Sequence, residues 1–417
     1  GSTSPFYTVL QEWESKNDMT SKDSVVFTND TSRFSIGTGD GNKKLYTGTL
    51  RRLQSSAEII PGQVRFEDIA GGQIATDSDV QGVLKSFGDS VGIIDYNTGA
   101  YSIRWSFAPP VGSSVNSIFN VSYDVGDTIM LISQNQGVNF PYVLTSGLST
   151  TDSVKVQDPV QSLLVVSMNG GFNITREALY FPLQMPTWVN ISSTTPSCFE
   201  FSEDGNHLYI GGYNGRVTRI SGLNDFYMDV NPNDVLSKTD IYSGASAVSG
   251  ICIHPSDPEK ILVTTGGYGV ANHVYELTAA QSSSGLSPNR NLQGDLPDFP
   301  VYDPEYNVNK PEQVVLGTEL GVWYSEDVSG ASPTWTQQST GVGNVPVMDV
   351  RQQRLSYDEA LNYGRFYIGT FGRGIWTSGD LVSVGDNDNW ADFNDNTEIS
   401  NVKLYPNPVS MVSKLTF

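Results

Sequence analysis

Apolar and polar residues alternate along most of this chain with a period of two, which predicts strands rather than helices. Asp23-Ser24-Val25-Val26-Phe27 and Gly126-Asp127-Thr128-Ile129-Met130-Leu131-Ile132-Ser133 read as strands. In the second half one pattern recurs. Residues 207–220 (HLYIGGYNGRVTRI), 260–276 (KILVTTGGYGVANHVYE), 313–325 (QVVLGTELGVWYS) and 365–378 (RFYIGTFGRGIWTS) are each an apolar strand, a tight Gly turn and a second strand. Residues 162–179 (SLLVVSMNGGFNITREAL) form a weaker copy. The ends of the first strands, Ser167, Gly211, Thr265, Gly317 and Gly369, are spaced by 44, 54, 52 and 52 residues. That period suits a four-stranded propeller blade. Other blade parts recur with it. Pro186-Thr187-Trp188 and Pro333-Thr334-Trp335 each open a fourth strand, and Pro300-Val301-Tyr302-Asp303 and Pro346-Val347-Met348-Asp349 each open an inner strand.

The expected fold is therefore all-β: a propeller of about seven blades, with six or eight as the neighbouring alternatives. Five anchors are clear, and residues 6–36 with 127–147 supply one further blade. Either one blade is degenerate or residues upstream complete the ring. Residues 40–125 break the repeat with Leu45-Tyr46-Thr47-Gly48-Thr49-Leu50, Pro61-Gly62-Gln63-Val64-Arg65-Phe66 and the turn Asn97-Thr98-Gly99-Ala100 between alternating strands. They are expected to form a small β-sandwich inserted into a propeller loop, since loops tolerate insertion; two irregular blades are the alternative. The expected order is propeller strands over 1–39, the insert over 40–125, blades over 126–384, an acidic linker over 385–398 and a further domain starting at 399.

Several segments resemble known families. The repeats, with Ser325-Glu326-Asp327-Val328-Ser329-Gly330 and Trp335, resemble sortilin-like Asp-box propellers, although the turn is longer than theirs and the Trp188 copy lacks the Ser-x-Asp. Residues 40–125 resemble β-sandwich modules of phage-tail and adhesin-like proteins. Val402-Lys403-Leu404-Tyr405-Pro406-Asn407-Pro408-Val409 resembles the opening of the carboxy-terminal sorting domain of type IX secretion substrates. That resemblance implies recognition by the type IX machinery, export across a Gram-negative outer membrane, and an extracellular or cell-surface location. The usual sorting domain runs further than residue 417, so the chain reads as cut inside it. Gly1-Ser2-Thr3-Ser4-Pro5 has neither the basic head nor the apolar stretch of a signal peptide.

Composition narrows the partners. Lys and Arg number 24 against 45 Asp and Glu, so the net charge is 24 − 45 = −21. Phosphates repel such a chain, which argues against nucleic acid and anionic membranes. No apolar run approaches the ~18 residues of a membrane helix. Cys198 and Cys252 are too few for a disulfide scaffold and read as free thiols, with a single bridge as the alternative. His207 and His254 stand beside strand ends and read as structural. There is no nucleophile elbow, phosphate loop or zinc-protease helix.

The turns between second and third strands share one propeller face. They carry Tyr213 and Arg216, Tyr268, Glu319, and Phe371 with Arg373. Aromatic faces stack on sugar rings, and Arg and Glu hydrogen-bond hydroxyls, so this face is the candidate site for a glycan or a surface protein. Thr318-Glu319-Leu320-Gly321 also resembles a catalytic turn of xyloglucanase-like propeller glycoside hydrolases. That family has Asp where this chain has Glu319. A hydrolase would need a second carboxyl, and Asp303 and Asp349 are the candidates. Asp386, Asp388, Asp392, Asn394 and Glu398 alternate oxygen side chains as a Ca²⁺ loop would, but they lack its turn glycine and read first as a solvated linker. The leading functional reading is a secreted, non-catalytic binding or adhesion propeller. A glycoside hydrolase and a structural subunit of a surface assembly are the alternatives.

Overall fold

The computed structural model describes residues 8–134, 138–180, 185–355, 360 and 362–378. The acidic linker and the Leu404-Tyr405-Pro406-Asn407-Pro408 motif lie outside the described residues. The chain is nearly all β and divides into two compact units. One is Ser15–Gln161; the other comprises the residues on either side of it.

The flanking unit is the propeller, with five blade sheets among the described residues. Blade 1 pairs Leu10–Ser15 with Gln161–Met168, Gly171–Thr175 and Val189–Ser192. Blade 2 holds Pro196–Phe201, His207–Gly212, Arg216–Ser221 and Ser237–Ser243. Blade 3 holds Val248–Ile253, Ile261–Thr265, Val274–Leu277 and Asn289–Asn291. Blade 4 holds Val301–Asn307, Lys310–Thr318, Gly321–Ser325 and Thr336–Gln337. Blade 5 shows Val347–Gln352, Phe366–Thr370 and Gly374–Ser378. All five sequence anchors fall in second strands, and the two Pro-Val segments open inner strands as expected.

Period-two alternation explains how the blades stack. Middle strands are buried on both sides, so successive residues serve opposite neighbours. Leu208 and Ile210 pack with Val165, Phe172 and Phe199 between blades 1 and 2, while Tyr209 joins Ile261 and Val263 between blades 2 and 3. Leu262 joins Val314 and Leu316 between blades 3 and 4, and Val315 joins Val350 and Phe366 between blades 4 and 5. The turn glycines are required by conformation and by space. Gly321 has φ +89°, and a Cβ there would come 2.0 Å from Ser339 Oγ.

The Ser15–Gln161 unit enters between the first and second strands of blade 1. It contains one eight-stranded sheet, in the order Ser32–Thr38, Ser114–Ser122, Glu58–Asp68, Gln73–Thr76, Val83–Ser86, Asp89–Ile94, Ala100–Arg104, Leu45–Thr49. Phe66 and Tyr101, separated by three intervening strands, pack with ring centroids 4.9 Å apart, so the sheet folds over its own core.

Two sequence expectations change here. The boundaries at 40 and 125 fall inside the unit, because Ser32–Thr38 pairs with Ser114–Ser122. The segments assigned to a further blade do not build one. Ser24–Thr28 pairs with Ser153–Gln157, and Thr128–Ile132 with Asn139–Val143. Five blades therefore stand among the described residues where about seven were expected. Both kinds of unit are made of short alternating strands, and alternation does not say which strands pair.

Candidate functional site

Inner strands position the site, and four of them open alike. Register shifts between Pro196 and Cys198, Val248 and Gly250, Val301 and Asp303, and Val347 and Asp349. Each strand thus carries a one-residue bulge at its second position, which re-aims that side chain. The bulged residues are Ser197, Ser249, Tyr302 and Met348. In blades 2 and 3 the serine ties its blade to the next. Ser197 Oγ donates to the Val248 carbonyl and Ser249 Oγ to the Val301 carbonyl, both at 2.6 Å. Blades 4 and 5 replace this tie with larger side chains.

Tyr302 turns its hydroxyl to the Glu319 carboxylate instead. Tyr268, on the blade 3 turn, donates to the same carboxylate. Two phenols from neighbouring blades therefore hold one acid at the end of the propeller that bears the second-to-third-strand turns. Burial and then the Glu319 carboxylate push the Tyr302 hydroxyl well above the usual phenol range. The bond to Glu319 raises that of Tyr268. Around this carboxylate the face is apolar: Tyr268 is 72% exposed, Phe371 74%, Tyr213 50% and Met348 46%. The backbone beneath is fixed, since Glu319 N donates to the Pro300 carbonyl at 3.0 Å and Phe371 N to the Pro346 carbonyl at 2.8 Å.

The two arginines predicted on this face are committed to the protein. Arg216 pairs with Asp240. Arg373 Nη1 donates to the Val342 carbonyl at 3.0 Å. Tyr213, Tyr268 and Phe371 are exposed on the same face as Glu319.

Below the bulge the inner strands line the propeller axis at alternate positions. The third residues are Cys198, Gly250, Asp303 and Asp349; the fifth are Glu200, Cys252, Glu305 and Arg351. Arg351 bridges the two candidate aspartates, 3.0 Å from Asp303 Oδ2 and 3.2 Å from Asp349 Oδ1. Asp303 also accepts the Val350 N–H at 2.9 Å. Gly250 makes room for it, because a Cβ there would stand 2.6 Å from Asp303 Oδ1. Deeper, Arg354 pairs with Glu305 at 2.8 Å and reaches Cys252 Sγ at 3.3 Å.

Four carboxyls thus surround two guanidinium groups, and burial dominates their electrostatics. It pushes the Asp303 carboxyl well up against the pull of Arg351. It pushes half-buried Glu200 up to about 7, with Arg351 and Arg354 opposing and Glu305 and Asp349 reinforcing. Burial also raises the Cys198 thiol to about 12 and that of Cys252 well above its usual range. Both cysteines are free.

The site therefore has two layers. Glu319 is held by tyrosines at the mouth, while Asp303 and Asp349 are bridged by one guanidinium on the axis. The sequence reading missed Tyr302, Glu200, Glu305, Arg351 and Arg354. Aligning the inner strands on their first residues would have shown the row Ser, Ser, Tyr, Met and the charged rows beneath it.

At the opposite end, a groove of about 320 Å³ between blades 3 and 4 is lined by His254, Lys260, Glu276 and Arg290. Arg290 is fully used there, on Glu276 and on the Val328 and Ser329 carbonyls, so it pins the turn that resembles an Asp box. His254 packs edge-on to Tyr306 at 4.9 Å, and His207 Nδ1 lies 2.9 Å from Ser221 Oγ, as structural histidines do. No group of three or more His, Cys, Asp or Glu fit to hold a metal occurs among the described residues, and the candidate Ca²⁺ residues lie outside them. No helix among the described residues is long and apolar enough to cross a membrane.

The chain matches no protein-family model and no curated protein. The blades and the inserted module therefore rest on the repeat and on the geometry above.

Proposed function

We propose that this protein is a non-catalytic binding module whose propeller captures a ligand on the face bearing Tyr213, Tyr268, Glu319 and Phe371. The observation that carries the reading is the carboxylate of Glu319, gripped by Tyr268 and Tyr302 in the middle of exposed aromatic surface. An aromatic platform around a fixed acceptor suits a glycan: the ring faces take the apolar side of a sugar, and the carboxylate accepts from its hydroxyls. Tyrosine supplies that surface at low entropic cost, and the hydrogen-bonded turns pre-organise it. Glu319 is tied to two phenols, and the Asp303–Asp349 pair is spanned by Arg351. Both arrangements favour holding a ligand over moving a proton.

The motif at 404–408 supports the further proposal that the protein is exported by a type IX system and works at the cell surface, in adhesion or in a surface assembly. The decisive experiment is retention of the protein in gels loaded with soluble polysaccharides, comparing the natural chain with Tyr268→Ala and Phe371→Ala. The expected result is retardation by at least one polysaccharide, lost in both variants, with no release of reducing sugar. Sugar release that Asp349→Asn abolishes would overturn the binding reading in favour of a hydrolase.

A further inference from the structure

We propose that the propeller mouth takes an amino sugar, with the sugar's ammonium group on Glu319 and its ring on Tyr268. The proposal rests on the glycan reading above and names the class of glycan. Tyr302 turns its hydroxyl to Glu319 Oε2, and Tyr268 donates to the same carboxylate. A carboxylate offers about four acceptor positions, so two phenols leave about two of them open. The phenols also bring no charge. Burial and then the carboxylate hold the Tyr302 hydroxyl well above the usual phenol range, and the bond to Glu319 raises that of Tyr268, so both stay neutral.

Local charge sets this carboxylate apart. Asp240 has Arg216, Asp303 and Asp349 share Arg351, Glu305 has Arg354, and Glu276 has Arg290. Asp298, just before the inner strand of blade 4, lies 3.1 Å from His273 Nε2. Glu319 is half-buried, and among the described residues it makes no ion pair. Arg373 does not serve it. That guanidinium is held on the Val342 carbonyl beside blade 5, whereas the Glu319 carboxylate turns the other way, to Tyr268 of blade 3.

A half-buried anion without a counter-ion gains most from a ligand that brings one, because a charged donor makes the stronger hydrogen bond. An aromatic face beside it attracts the same cation, and Tyr268 is such a ring, exposed to solvent. An amino sugar meets both at once, since its ammonium sits on the ring that stacks. A lysine side chain carries its ammonium on a flexible four-carbon stem and has no flat face to stack. Phe371, exposed on the blade 5 turn, offers a second ring for further sugars of an oligomer.

The test is titration calorimetry of the whole chain at pH 5.5 with two probes, a glucosamine hexamer and an N-acetylglucosamine hexamer. The amines of the first are charged, and those of the second are capped. The natural chain is expected to bind the glucosamine hexamer roughly tenfold or more tightly than the acetylated one, and Glu319→Gln to bring the two affinities together. Phe371→Ala is expected to weaken both hexamers and keep their ratio. Unchanged melting curves check that the variants fold. Equal affinity of the natural chain for the two hexamers overturns the proposal. So does a preference that survives Glu319→Gln, which general attraction of a cationic oligomer to a chain of net charge −21 would give. In either case, binding of the acetylated hexamer leaves the glycan reading standing. Binding of neither hexamer also overturns the proposal, and the polysaccharide gels then show whether the glycan reading falls with it. A lysine hexamer that displaces the glucosamine hexamer at equal concentration overturns it too, because the site would then read charge alone.

Discussion

Glu200 offers a direct test of the charged axis. Its carboxyl, ordinarily near 4.5, is pushed up to about 7, first by burial and then by Glu305 and Asp349, against Arg351 and Arg354. A carboxyl raised in the folded state binds its proton more tightly there than in the unfolded chain. Its favourable contribution is therefore complete below pH 4.5 and is lost as pH rises through about 7. The shift of 7 − 4.5 = 2.5 pH units corresponds to about 3 kcal/mol at ~1.4 kcal/mol per unit. The side chain is only half-buried, so screening brings the expected effect to about 1–3 kcal/mol. Glu200→Gln keeps the shape and the hydrogen-bonding ends but cannot ionise. Denaturant unfolding of the propeller transition should show natural chain and variant about equally stable at pH 4.5. At pH 8.5 the variant should be more stable by that amount. If Glu200→Gln is neutral or destabilising at pH 8.5, the carboxylate is ionised and serves Arg351 and Arg354, and the reasoning fails.

Other perturbations test the same core. Gly250→Ala places a methyl 2.6 Å from Asp303 Oδ1 and from Pro304 Cδ, and should cost about 1–3 kcal/mol in the denaturant midpoint; an unchanged midpoint would show that Asp303 has room to move. Arg354→Met leaves Glu305, 3% exposed, without its ion-pair partner, and should cost about 3–5 kcal/mol. Adding Glu305→Gln to that variant should recover much of the loss, and a double variant as unstable as the single would contradict the pairing. With burial holding both thiols protonated, Cys198 and Cys252 should resist a thiol reagent at pH 8 until the chain unfolds; rapid labelling of the native protein would contradict their placement.

Much of the propeller was legible in the sequence, and particular residues show why. Ser167, Gly211, Thr265, Gly317 and Gly369 all end up in second strands because a blade repeats its strand–Gly turn–strand unit at one length. The grouping of these turns on one face was legible for a related reason. Strand direction alternates, so the turns after second strands share one end of the propeller, and Tyr213, Tyr268, Glu319 and Phe371 had to lie there. The commitment of the two arginines was not legible, since Asp240 and the Val342 carbonyl come from other strands and loops to claim Arg216 and Arg373.

Local pattern thus settled that the chain is all-β, that its blades turn on glycines and which turns share a face. These are properties of a strand and its nearest neighbours. Which strands pair, that blade 1 closes with Leu10–Ser15 across an inserted unit, and that Tyr302 and Tyr268 grip Glu319 are decided between residues distant in sequence or on different blades. The charges on the axis follow the same logic. Whether Glu200 holds a proton near neutrality depends on burial and on Arg351 and Arg354, some 150 residues away, and only the folded blades bring these together.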